Sequence, residues 1–174
     1  MAIHRLNHAV LYVRNVQRSA DFYRDVLGFR PIEGMDGMRG ATFLRAPDSS
    51  NDHDLGLFEI GDTAETSSAG RTSVGLYHLA WEVDTLRDLE NLAGRLADAN
   101  ALVGASDHST TKSLYGQDPD ALEFEIAWIV PAALLDAQTL SGRSGVRPLD
   151  LSREIARYGI DTPGGIGVSR PVPA

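Results

Sequence analysis

Leu6-Asn7-His8-Ala9-Val10-Leu11-Tyr12-Val13 and, 70 residues further on, Leu76-Tyr77-His78-Leu79-Ala80-Trp81-Glu82-Val83 carry leucine, histidine and valine in one register. The segments after the two blocks match as well. Residues 16–27 and 86–100 are amphipathic at helical spacing, and each stretch leads into short strand-like runs separated by Gly, Asp, Ser and Pro. The chain therefore reads as α+β, with two tandem βαβββ modules at 1–61 and 73–130. A connector rich in Ser, Thr and Gly at 62–72 joins them, and a C-terminal extension at 131–174 does not repeat.

Within the first module, alternation over residues 5–13 predicts Leu6, His8, Val10 and Tyr12 on one strand face, which would place His8 among core residues. Asn15 has the chemistry of a helix N-cap, Ala20, Tyr23 and Leu27 follow at helical spacing, and Gly28 is the expected stop. Strands are predicted at 29–33, 38–45 and 54–60. In the second module Thr85 and Asp88 form a Thr-x-x-Asp helix start, ahead of a buried stripe of Leu86, Leu89, Ala93 and Leu96. Strands are expected again at 102–106, 110–116 and 122–129. A short helix at 149–158 is the single element expected in the tail.

Composition narrows the partners. The formal charge is −8, from 24 acidic and 16 basic residues, which repels phosphate backbones and anionic lipid, so neither nucleic acid nor membrane is expected. The best apolar run, 126–135, is too short to span a bilayer and contains Pro131, and no signal-peptide pattern opens the chain. A cytoplasmic protein is expected. Without cysteine, any metal must be held by nitrogen and oxygen.

His8 and His78 stand at the same step of equivalent strands. A carboxylate from the last strand of the second module would complete a set of two imidazoles and one carboxylate, which suits a divalent metal with open positions. Glu123 and Glu125 share a strand face, so spacing alone leaves both open. Such a set favours Fe(II), with Mn(II) as the alternative, over zinc, calcium or magnesium.

These residues resemble the vicinal oxygen chelate superfamily, which contains glyoxalase I, extradiol ring-cleaving dioxygenases, fosfomycin-modifying transferases and bleomycin-binding proteins. The resemblance covers about residues 3–130. It is carried by Leu6 to Val10, by Phe22-Tyr23-Arg24-Asp25-Val26-Leu27-Gly28-Phe29, by His78, and by Leu114-Tyr115-Gly116-Gln117-Asp118-Pro119-Asp120 leading to Glu125. It implies that the modules form a curved, incompletely closed mixed β-sheet barrel and that the metal ligands are His8, His78 and Glu125. The family's closing turn reads Asp-Pro-Asp-Gly-Asn, and here Ala121 and Leu122 replace the last two residues.

Among its members the chain looks most like the extradiol dioxygenases, whose further active-site residues are matched by His53, Tyr115 and His108. The resemblance implies that His53 moves protons, while Tyr115 and His108 hydrogen-bond substrate or peroxide oxygens. The expected partners are an aromatic diol and O2, and a homo-oligomer, a dimer or higher, is expected. Three alternatives stand beside this: a glyoxalase I-like lyase, a thiol transferase with the same ligands, and a metal-free drug-binding protein. The lyase generally takes a fourth ligand from the last strand of the first module, where an offset of 70 lands on Leu55 and a further shift of four would offer Glu59.

Overall fold

The computed structural model describes residue 3 and residues 5–35, 38–70 and 72–169. Residues 36, 37, 71 and 170–174, which belong to the expected first-module loop, connector and tail, lie outside the described residues. The chain divides into two compact units, residues 1–68 with 118–122, and residues 69–117 with 123–174.

The first unit is built from β1 (Ala9–Val13), α1 (Val16–Asp25), β2 (Arg30–Pro31), β3 (Ala41–Arg45) and β4 (Leu55–Glu59). Its open sheet has the order β1, β4, β3, β2, with β1 parallel to β4 and the other pairs antiparallel. Asn15 caps α1 as expected, its Oδ1 accepting from Arg18 N at 2.8 Å. Glu59 adds a carboxylate at the same positive helix end, its Oε2 accepting from Val16 N at 3.0 Å. Gly28 adopts φ 83°, the left-handed geometry that lets the chain leave the helix.

One sheet face carries the core: Leu11, Val13, Leu44, Leu55 and Leu57 are buried, together with Tyr23 and Leu27. This reverses the expected phase of the first strand. Leu6, Val10 and Tyr12 are exposed, Tyr12 at 71%, and His8 lies on their side, in the exposed stretch just before β1. The reason is physical: both faces of residues 5–13 are apolar, so alternation cannot tell which one a helix will cover.

The second unit contains β5 (His78–Glu82), α2 (Leu86–Asp98), β6 (Leu102–Asp107), β7 (Thr111–Gln117) and β8 (Glu123–Ile129), followed by α3 (Ala137–Ser141), β9 (Arg147–Pro148) and α4 (Leu151–Tyr158). Strand order is β5, β8, β7, β6, β9, with β5 parallel to β8 and the remaining pairs antiparallel. Thr85 and Asp88 form the expected capping box. Leu86, Leu89 and Leu96 are fully buried, with Leu114, Phe124, Ile126 and Trp128 in the same core. Burial of each such leucine contributes roughly 2–5 kcal/mol against truncation to alanine.

The tail folds more fully than its sequence suggests. Besides the helix expected near 149–158, β9 extends the sheet beyond β6, and α4 sets Tyr158 against Trp128 with ring centroids 5.3 Å apart. No helix among the described residues is long and apolar enough to cross a membrane.

Candidate active site

The face of the second sheet opposite the leucine core carries a polar array. His78 on β5, Tyr115 and Ser113 on β7, and Glu125 on β8 share it, because Ala80 and Tyr115 both stand directly opposite Glu125 and Ser113 lies two residues from Tyr115. His78 Nε2 is 3.1 Å from Glu125 Oε2, and the other carboxylate oxygen accepts from Ser113 Oγ at 2.5 Å. Ser113 is wholly buried and was not singled out in the sequence. Its only signal there is its even spacing from Tyr115 on the same strand.

Glu123 lies on the same face, but its Oε1 is met by Gln117 Nε2 at 3.4 Å and its carboxylate is not the one beside His78. His108, in the loop before β7, places Nε2 2.8 Å from the Tyr115 hydroxyl. Burial, and then the nearby Glu125 carboxylate, push the Tyr115 phenol above its usual pKa, so it holds its proton through the neutral range. The Tyr115 and His78 rings stand 6.0 Å apart, and Tyr77 packs on His78 at 4.7 Å.

In the first unit the His8 and His53 rings meet at a 45° tilt, with centroids 4.5 Å apart, and Phe43 meets His53 edge-on at 5.1 Å. His53 is 17% exposed, and its Nδ1 sits 3.0 Å from Asp52 Oδ2. A carboxylate only accepts, so Nδ1 is the donor of this contact. His8 is arranged alike, with Nδ1 2.8 Å from Asn7 Oδ1.

The chemistry of these donors fits a divalent ion. Two ligand atoms about 2.1 Å from one ion and at right angles to each other stand about 3.0 Å apart, close to the His78 to Glu125 separation. The His78 Nδ1 atom is buried without a hydrogen-bond partner among the described residues. Among those residues, no three His, Cys, Asp or Glu side chains gather into one group that could hold a metal.

Strand register also locates the first-unit counterpart of Glu125. Glu125 stands opposite Ala80 and Tyr115; the residue standing likewise opposite Val10 and Phe43 is Gly56, one position from the Leu55 that the offset indicates. A Cβ at Gly56 would lie 3.3 Å from the Phe43 ring, so this place is filled by an aromatic side chain and offers no ligand. Glu59, the shifted alternative, is engaged in capping α1.

Residues 5–126 match the model of the Glyoxalase/Bleomycin resistance protein/Dioxygenase superfamily. The chain belongs to this superfamily. Similar curated proteins are metapyrocatechase 2 of Cupriavidus necator, 34% identical over 58% of this chain and 27% of its own length, and catechol-2,3-dioxygenase of Bacillus subtilis strain 168, 27% identical over 70% of this chain and 40% of its own. The chain thus spans well under half the length of both. Lactoylglutathione lyase of Neisseria meningitidis is 28% identical over 70% of this chain and 88% of its own length. A solved glyoxylase/bleomycin resistance protein/dioxygenase domain from Frankia sp. EAN1pec superposes with TM-score 0.58 at 24% identity, covering 72% of this chain and 92% of that one, which shows the fold.

Ala121 stands where the closing turn that the sequence resembles has glycine. Ala121 takes φ 64° at that position, and Asp118 Oδ1 accepts from Asp120 N and Leu122 N, each at 2.9 Å. A left-handed alanine costs roughly 1–2 kcal/mol, which these two bonds offset.

Proposed function

We propose that this chain is an extradiol dioxygenase, binding Fe(II), or alternatively Mn(II), through His8, His78 and Glu125 and opening a catechol-type ring with O2. Both oxygen atoms enter the product and no external reductant is consumed. The two βαβββ modules are proposed to form an incompletely closed barrel around the metal. The observation carrying the reading is the His78 and Glu125 pair beside Tyr115 on one sheet face, with His108 reaching Tyr115 from the adjoining loop, in a chain similar to a metapyrocatechase and a catechol-2,3-dioxygenase.

When bound, the metal would hold both diol oxygens and relay electrons from the ring to dioxygen. The protein's own groups do the rest. Ser113 donates to Glu125 Oε1, leaving Oε2 turned toward His78 Nε2. Tyr115, kept protonated, donates to a substrate oxygen and fixes its orientation. His108 holds the Tyr115 hydroxyl in place. His53, with Asp52 on Nδ1, accepts a substrate proton at Nε2 and later returns it.

The test is oxygen uptake by the Fe(II)-loaded chain on a panel of small catechols, with the yellow ring-opened product followed by absorbance. One O2 consumed per catechol is expected, and His53→Ala should lose at least about a hundredfold in turnover while keeping its metal. Metal binding with no oxygen uptake on any catechol would overturn the proposal. The relation to lactoylglutathione lyase supports a second reading, an oxygen-independent lyase, but Gly56 leaves that chemistry without the fourth ligand its family generally uses. Turnover of a glutathione hemithioacetal in nitrogen would favour it.

A further inference from the structure

We propose that the C-terminal segment 142–158 is a positioning clamp that sets His108 against Tyr115. This segment lies beyond the matched superfamily region, which ends at residue 126. It grips the loop on both sides of His108. β9 pairs with β6 so that Pro148 faces Ser106 and Arg147 faces Asp107. Arg147 Nη2 donates to Asp107 Oδ2 at 3.1 Å, and the same Asp107 accepts from Ser109 N at 2.7 Å through its other oxygen. Gly142 passes so close that a Cβ there would stand 2.6 Å from Ser109 Oγ.

Lys112 locks the arrangement from beneath. It is 1% exposed, and its ammonium meets Asp107 Oδ1 at 2.5 Å, Glu154 Oε2 of α4 at 2.9 Å and the Ser109 carbonyl at 3.1 Å. Two of its donors are hydrogen-bonded, to Asp107 and to the Ser109 carbonyl, while Glu154 stands at ion-pair distance. Moving α4 away would strand a buried cation without one of its two carboxylates, so the helix and the loop are held together. Ser109 sits at φ 70°, a conformation that a serine keeps only where its surroundings over-determine it. The loop between these anchors has one place to put His108, and from it Nε2 reaches the Tyr115 hydroxyl.

The inference rests on the dioxygenase reading only for what His108 is positioned to do, and its test needs no turnover. In the full chain free of paramagnetic metal, 15N resonances of the His108 ring report tautomer and hydrogen bonding, and amide exchange reports the loop. Arg147→Ala and Glu154→Gln are expected to turn the fixed His108 tautomer into an averaged one and to speed Ser109 amide exchange about tenfold, with amides of β8 unchanged. Arg147→Lys should restore most of the wild-type pattern, and Tyr115→Phe supplies the signature of an unbonded His108. Arg147 is 57% exposed, so its variant leaves the buried pair intact and decides alone if Glu154→Gln does not fold. Wild-type His108 resonances and Ser109 exchange in Arg147→Ala would overturn the proposal, as would a loss spread evenly over β8. Failure of the dioxygenase reading would appear in oxygen uptake instead.

Discussion

At the scale of single residues, the two glutamates of β8 have different surroundings although they share a face. Glu125 has one oxygen 3.1 Å from His78 Nε2 and the other held by buried Ser113, whereas the Glu123 carboxylate is met by the side chain of Gln117 at 3.4 Å. A carboxylate already oriented by a second group loses little freedom on binding an ion. Glu125→Ala is therefore expected to abolish stoichiometric metal binding, read by metal analysis after dialysis. Ser113→Ala should weaken affinity roughly 10–100-fold, and Glu123→Ala should leave it within about threefold. A Glu123→Ala chain without metal beside a Glu125→Ala chain that retains it would reverse the assignment. His8 and His78 were singled out because a chemically distinctive side chain recurs at the repeat, and the alternatives Glu123 and Glu125 because carboxylates alternate with apolar residues on the last strand. Ser113 was not, since a serine in a strand looks the same whether it faces water or braces a carboxylate.

Among the elements, the helices were the most readable and the strand faces the least. The Thr85 and Asp88 capping box satisfies amide groups at the α2 start reciprocally, with Thr85 N donating to Asp88 Oδ2 at 3.1 Å and Asp88 N to Thr85 Oγ1 at 3.2 Å. Thr85→Ala is expected to cost about 1 kcal/mol in urea unfolding with an unchanged m-value, and Thr85→Ser should recover most of it. Such a cap is local and is written in four adjacent letters. The phase of β1 is not local, because it depends on which of two apolar faces α1 covers. His8 consequently lies away from the core it was expected to join, in an exposed stretch. The Glu125 counterpart escaped for a related reason: the two units differ by one residue between their first and last strands, which moves it from Leu55 to Gly56.

Over the whole molecule, acid separates the two units. In the unit containing the tail, burial alone would raise the Asp107 carboxyl, but hydrogen bonds from Lys112 and the Ser109 amide outweigh it and hold the pKa below the usual value. Its folded pKa is thus depressed, so its stabilisation is complete above the unfolded carboxylate range and is lost as pH falls through the folded value. In the first unit Asp118 is shifted the other way, chiefly by burial, so protonation on acidification favours its folded form. Trp81 and Trp128 both belong to the tail-containing unit, and their fluorescence reports it selectively. Below about pH 4 the tryptophan transition in urea is expected to move to lower denaturant concentration. Asp107→Asn should flatten that dependence and, by leaving Lys112 with Glu154 as its single carboxylate, lower stability at neutral pH by about 3 kcal/mol. An Asp107→Asn chain with the wild-type acid profile would show that this network does not govern the unit. Nothing in the periodicity of residues 131–169 announced the network, because its members are charged residues from separate segments that become a buried cluster only when α4 closes over Lys112.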